Sequence, residues 1–178
     1  MKILSKHNTL KEAIQRAVEI LIGHHEADKH VVFDIDDTLI FDDERQSPNL
    51  QVKHLLEVAR AHNYKIHLVT AREKNAEVIK WTRDELRRHC IYHDSLALCP
   101  KKSRTSMKDV SAWKHSERAK HKTCVLSVGD QWGDFLILEK EEQIGQLDKE
   151  HGTDLKPWLI IENPDSSSKY ALKLMPSH

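Results

Sequence analysis

The sequence carries no net charge, because Lys and Arg together number 28 and so do Asp and Glu. No overall field draws such a chain to nucleic acid or to a membrane surface. No apolar run is long enough to span a bilayer, and Met1–Leu10 lacks the apolar stretch of a signal peptide. A cytoplasmic protein is therefore expected. Cysteine is scarce: Cys90, Cys99 and Cys124 are odd in number and lack metal-ligand spacing, which suits a reducing compartment. There is no internal repeat and no low-complexity linker. The 13 histidines are many but scattered, and no structural zinc site is expected from them.

What is present describes an ordinary globular chain. Its 178 residues, 39% hydrophobic and 31% charged, are enough to build one domain with a real core. Positive charge does gather locally, at Arg83–Arg88 and Lys101–Lys122. That leaves room for an anionic partner, although such runs are commonly solvated helix faces.

Periodicity organises the chain into alternating elements. Thr9–Glu26 reads as a capped amphipathic helix with Leu10, Ile14, Ala17, Val18 and Leu21 on one stripe. Strands are expected at Val31–Phe33, Lys65–Val69, Ser95–Leu98, Thr123–Val128 and Trp158–Ile161. Between them fall helices over Leu50–His62, Lys74–His89 (with Val78, Ile79, Leu86 and Trp81 facing inward), Asp109–His121 and, briefly, Phe135–Leu138. Glu139–Thr153 reads as a charged surface excursion, and Asn163–Ser168 as a loop before a short tail. Apolar strands alternating with helices predict an α/β, Rossmann-like three-layer sandwich around a five-stranded parallel sheet. Residues 1–29 are expected to form a helical extension, and 30–175 the core of a single domain.

The chemistry-bearing residues fall at the carboxyl ends of these strands, where ligands sit in open α/β sheets. Val31-Val32-Phe33-Asp34-Ile35-Asp36-Asp37-Thr38-Leu39 is an apolar strand running into crowded carboxylates. Like charges this close repel, and a bound cation is the economical reason to keep them, which points to phosphate chemistry. The structural alternative is that acidic residues merely close the strand as turns or caps. Strand two ends at Thr70-Ala71-Arg72, a lysine (Lys114 or Lys108) precedes strand four, and strand four ends in Gly129-Asp130-Gln131-Trp132-Gly133-Asp134.

This ordered set resembles the motifs of the haloacid dehalogenase (HAD) superfamily. Leu68-Val69-Thr70-Ala71-Arg72, Thr82-Arg83-Asp84-Glu85-Leu86, Leu96-Ala97-Leu98-Cys99-Pro100, and Trp113-Lys114 with Arg118 are similar to the class B and class C acid phosphatases and their plant vegetative-storage relatives. So is Tyr170-Ala171-Leu172-Lys173-Leu174, and the likeness spans roughly residues 30–175. The resemblance implies a Mg²⁺-dependent phosphomonoesterase working through an aspartyl-phosphate. Asp34 would be the nucleophile and Asp36 the general acid and base. One Mg²⁺ would be held by Asp34, the Asp36 carbonyl and Asp130, with Asp134 orienting a water on it. Thr70, the Ala71 amide and a lysine would bind the phosphoryl oxygens, Lys114 matching the acid-phosphatase wording better than Lys108. Arg72 either touches substrate or pairs with a helix carboxylate, Trp132 is a lid or core filler, and Asp37 is a turn residue.

The spacings between motifs leave no room for a large cap, so a capless or minimally capped, open site is expected. Such a site admits a phosphorylated small molecule and equally a macromolecular phosphoester, such as a nucleic-acid end or a phosphoprotein. Net charge lends no support to nucleic acid. A phosphorylated receiver domain shares these residue types, but there the lysine comes last in the chain, whereas here it precedes the final acidic pair. A non-catalytic storage or binding protein would lack the nucleophile, and Asp34 is intact.

Overall fold

In the computed structural model, which describes residues 1–151 and 158–175, the chain folds into a seven-stranded sheet between two helical layers. The elements run β1 (Lys2–His7), α1 (Leu10–Ile22), β2 (His30–Phe33), α2 (Leu50–Ala61), β3 (Lys65–Glu73) and α3 (Ala76–Arg88). There follow β4 (Ser95–Cys99), α4 (Met107–Ala119), β5 (Cys124–Gly129), α5 (Glu142–Glu150), β6 (Trp158–Asp165) and β7 (Ser168–Lys173). Strand order is β1-β6-β7-β5-β2-β3-β4. The α/β, Rossmann-like reading holds.

Local chemistry starts α1–α4 where the sequence placed them. Thr9, Asn49, Asn75 and Ser106 accept the amides of Glu12, Val52, Val78 and Asp109, at 3.2, 3.4, 2.9 and 3.1 Å. Each such N-cap stabilises by about 1 kcal/mol. β2 is buried along its whole length, and its alternate residues feed opposite layers. Val31 and Phe33 join Ile66, Leu68, Ile14, Leu55 and Leu86 in the main core under α1, α2 and α3. Val32 packs with Val69, Cys124 and Trp113 beneath α4. A third cluster around Trp132, Phe135, Leu147 and Ile161 sits beneath α5. The right-handed crossover rule accounts for this division: the chain steps one way from β2 to β4 and must return to β5 across the opposite face.

Several sequence expectations change. Five strands do run parallel, β7-β5-β2-β3-β4, but the fifth member is β7 and not the Trp158 strand. β6 pairs antiparallel with β7 through a tight turn, Asp165 opposite Ser168. A connection that short closes only a hairpin, since a parallel return needs a crossover of a dozen or more residues. The N-terminal stretch is more than a helical extension, because β1 forms a sheet edge against β6. The charged 139–153 stretch contains α5, with its Gly152 and Thr153 outside the described residues. The short helix expected at Phe135–Leu138 is instead a single 3₁₀ turn, Trp132–Asp134. Trp81 faces outward at 43% exposure, while Thr82, Glu85 and Leu86 form the inner face of α3. No helix among the described residues is long and apolar enough to cross a membrane.

Candidate active site

The carboxyl ends of β2, β3 and β5 open into a cleft of about 530 Å³. Asp34, Asp36, Ala71, Lys114, Asp130 and Asp134 all line it. This is the crevice that a reversal of strand order creates: the chain leaves β2 for β3 on one side, while β5 lies on the other.

The β2 end is held by main-chain bonds. The Asp34 N–H donates to the Val128 carbonyl of β5 at 2.9 Å, which extends the ladder by one residue. The chain then turns sharply, the Ile35 carbonyl accepting from Leu39 and Ile40 at 2.9 and 3.0 Å. Asp37 takes a left-handed backbone (φ 55°), a conformation aspartate tolerates better than most residues. Ile35 is fully buried beneath the turn, while Asp34, Asp36 and Asp37 line the cleft. Thr38, also buried, donates to Asp34 Oδ2 at 3.4 Å.

On β5 the glycine before Asp130 is required by a close approach. A Cβ on Gly129 would lie 2.2 Å from Asp134 Oδ2. The space a side chain would fill is occupied by Asp134, which the Trp132–Asp134 turn folds back over the strand end. Asp134 also accepts the Gln131 N–H at 2.9 Å, and its main-chain carbonyl accepts Arg118 Nη1 at 2.7 Å. Arg118, 1% exposed, further donates to Ser167 at 2.8 Å and Asp165 at 3.2 Å, tying the acidic turn to the β6–β7 hairpin.

Lys114 lies one turn before Arg118 on the inner face of α4. Its Nζ donates to Asp34 Oδ1 at 2.8 Å and to Asp134 Oδ1 at 2.5 Å. Burial opposes the ammonium charge, but Asp134 and Asp34 outweigh it and raise the Lys114 pKa, so the lysine is held protonated. Lys108, by contrast, is exposed on the first turn of α4, where its N–H meets Glu141 at 3.2 Å. Of the two candidate lysines, Lys114 is the one brought against Asp34.

One ammonium does not balance three carboxylates. Asp34, Asp130 and Asp134 are buried, and an oxygen of each lies within 4.8 Å of the others. Burial, then the Asp134 charge, raise the Asp34 pKa well above the ordinary carboxyl range. The same two causes in the same order push Asp130 up to about 7. A second cation stands behind them: Lys173, at the end of β7, is buried with its Nζ on the Leu174 carbonyl at 2.7 Å. Burial lowers its pKa, against the pull of Asp130 and Asp134. Sequence reasoning assigned Lys173 no role, although a lysine inside the apolar run Tyr170–Leu174 was the available signal. Thr38 was equally passed over within its motif.

The β3 end differs from its partners. Thr70 is fully buried, its Oγ1 accepting the Arg72 N–H at 3.2 Å. Ala71 lines the cleft, and its carbonyl accepts Arg104 Nε at 2.8 Å. Arg72 is occupied on both sides. It grips Asp36 through Nη2 and Nε at 2.7 and 3.0 Å, and through Nη1 it donates to Glu85 at 2.7 Å and Thr82 at 3.1 Å. Its guanidinium also lies over the Trp81 ring, 4.4 Å from the centroid, which is what the exposed tryptophan does. Trp132 is 3% exposed and fills the core beneath α5, donating to Asp148 at 2.8 Å.

Comparison with curated proteins gives no match. A family model, that of the HAD superfamily, subfamily IIIB (acid phosphatase), matches residues 40–167. The matched stretch takes in Thr70, Lys114, Asp130 and Asp134 and begins just after Asp34 and Asp36. The match spans well over half of the sequence, and the chain belongs to the subfamily IIIB acid phosphatases of the HAD superfamily, enzymes that hydrolyse phosphomonoesters.

Proposed function

We propose that this cleft hydrolyses phosphomonoesters through an aspartyl-phosphate on Asp34, with Mg²⁺ held by Asp34, the Asp36 carbonyl, Asp130 and, through water, Asp134. The observation that carries the reading is the placement of the Asp34 carboxylate, 2.8 Å from the Lys114 ammonium at the floor of an open cleft. Phosphatases of this family generally use a divalent metal, and the residues present fit one. Three buried carboxylates, with burial and the Asp134 charge raising the pKa of Asp34 and Asp130, offer hard oxygen donors and an unbalanced negative charge. When bound, the ion offsets the repulsion between the Asp34 carboxylate and a phosphate dianion.

In the first step an Asp34 carboxylate oxygen attacks phosphorus, the bond from phosphorus to the ester oxygen breaks, and Asp36 gives that oxygen its proton. In the second, water attacks phosphorus while Asp36 takes its proton, and the bond to Asp34 breaks to regenerate the carboxylate. Lys114 stays protonated throughout and stabilises the phosphoryl charge as it develops. The Ala71 amide at the cleft wall and Thr70 behind it are assigned to the phosphoryl oxygens. Both Asp36 oxygens accept from Arg72 in the resting site, so Asp36 must turn out of that pair to carry its proton to the ester oxygen. Arg72 is thereby a positioning residue and not a direct substrate ligand.

A rapid-quench reaction with labelled aryl phosphate and Mg²⁺ tests this. Label is expected on the acid-quenched protein within the peptide containing Asp34, and absent from Asp34→Asn. Turnover with no labelled protein at any time, or label on another residue, would contradict the reading.

A further inference from the structure

Far from the cleft, at the amino-terminal end of the sheet, three histidines widely separated in sequence come together. His30 opens β2, His67 lies in β3 opposite Val32, and His121 follows α4 just before β5. Asp34 lies four residues along β2 from His30, roughly 13 Å at the rise of a strand, so the two sites are separate. His30 and His67 are buried and His121 is half-buried. One nitrogen from each lies within 4.8 Å of the others.

The contacts fix which nitrogens are available. His30 Nε2 is 2.8 Å from Asp28 Oδ1, so the proton belongs on Nε2 and Nδ1 keeps its lone pair. That Nδ1 faces His67 Nε2 at 2.8 Å. His67 Nδ1 is in turn 2.5 Å from Ser95 Oγ. A carboxylate and a hydroxyl thus hold the far side of two rings, the outer arrangement typical of metal-ligating histidines. Two nitrogens meet across a single shared proton, which a divalent ion would replace. His121 makes no ring hydrogen bond among the described residues and stacks on His67 at 3.6 Å. Its ring lies nearly parallel to His67, so its lone pair must turn about χ2 to join the other two, and it is the least buried of the three. Nitrogens bound to one tetrahedral zinc ion at ~2.0–2.1 Å stand roughly 3.3 Å apart. The His30 and His67 nitrogens stand closer than that, at 2.8 Å, and all three nitrogens lie within 4.8 Å of one another, so small side-chain turns reach that separation.

We infer that His30, His67 and His121 form a transition-metal site of the zinc type, with Asp28 and Ser95 orienting two of its ligands. Neutral imidazole is the form a metal takes, and the Asp28 and Ser95 contacts leave His30 Nδ1 and His67 Nε2 facing each other at the shared point. An all-nitrogen donor set selects zinc, copper or nickel over magnesium, whereas the carboxylates of the cleft select the reverse. The two sites therefore take different ions from the same solution. Residues 30, 67 and 121 form no sequence motif, which is why the scattered histidines gave no signal.

The test is a titration of the full chain with Zn²⁺ in a large excess of Mg²⁺, followed by calorimetry, with Co²⁺ absorption as a second readout. One tight equivalent is expected, with the visible bands of nitrogen-ligated four-coordinate cobalt, and it should persist in Asp130→Asn. His121→Ala should weaken it by roughly 100-fold or more, and Asp28→Asn, at an exposed position, by roughly 10-fold. The Asp28 variant keeps the test decisive should the His121 change disturb packing. No tight equivalent in the native chain, an equivalent unaffected by both variants, or one lost in Asp130→Asn would overturn the inference.

Discussion

Replacing Arg72 by methionine strands a charge that the fold has buried. Glu85 is fully buried, and its hydrogen-bonded contact is the Arg72 guanidinium at 2.7 Å, with its other oxygen, Oε1, making no hydrogen bond. Methionine keeps the length and the apolar stem over Trp81 but leaves Glu85 without its counter-charge. Removing one partner of a buried pair costs about 3–5 kcal/mol. For a chain of this size each kcal/mol lowers Tm by roughly 2–4 °C, so Arg72→Met should melt roughly 6–20 °C below the native protein. Glu85→Gln should cost less, because Arg72 retains Asp36. The Arg72→Met/Glu85→Gln double variant removes both charges and should melt above Arg72→Met alone. Calorimetric melts of the four proteins at neutral pH, with Mg²⁺ present, measure the cycle. A single Arg72→Met variant within 2 °C of native, or a double variant no more stable than it, would refute the reasoning.

Two further outcomes follow from the cleft. Lys114→Met should lower kcat by roughly 10²–10³-fold, as loss of a donor to developing transition-state charge does, while Lys108→Ala leaves kcat within about twofold. Steady-state kinetics of the two folded variants would put the assignment wrong if the effects were reversed. In chelator, Asp130 should make stability fall as pH rises. Its folded pKa of about 7 exceeds an unfolded value near 3.9, so the stabilising protonated form is complete below ~4 and is lost up to ~7. The loss approaches roughly 4 kcal/mol at ~1.36 kcal/mol per pH unit. Saturating Mg²⁺ should flatten that slope, and Asp130→Asn should remove the Asp130 share of it, leaving that of Asp34, whose pKa is also raised. Identical melting curves across this range in chelator would count against the crowded-carboxylate account.

The sequence disclosed the elements whose signals are local. The apolar strands around Val31, Leu68 and Leu126, and the cap at Thr9, depend on neighbouring residues and are readable from them. So was the ordered placement of Asp34, Thr70 and Asp130 at strand ends, with Lys114 on the helix before β5, since parallel topology carries all such ends to one rim. β1 escaped because an edge strand is half solvated, and Lys2-Ile3-Leu4-Ser5-Lys6-His7 has only a weak apolar alternation. α5 was hidden by its charges, of which only Leu147 among its residues is buried. Trp81 was read as core because an apolar residue on a helix normally is. Its outward place depends on Arg72, which lies on another element. The Arg72 grip on Asp36, the buried Lys173 and the histidine triad are all tertiary juxtapositions, which local pattern does not encode.

The most direct test of the central claim is phosphate release from an aryl phosphate by the native chain and by Asp34→Asn, each with Mg²⁺ and with chelator. The account predicts turnover by the native chain in Mg²⁺, its loss in chelator, and no turnover by Asp34→Asn under either condition. Turnover that survives in Asp34→Asn would contradict the claim that Asp34 carries the phosphoryl group.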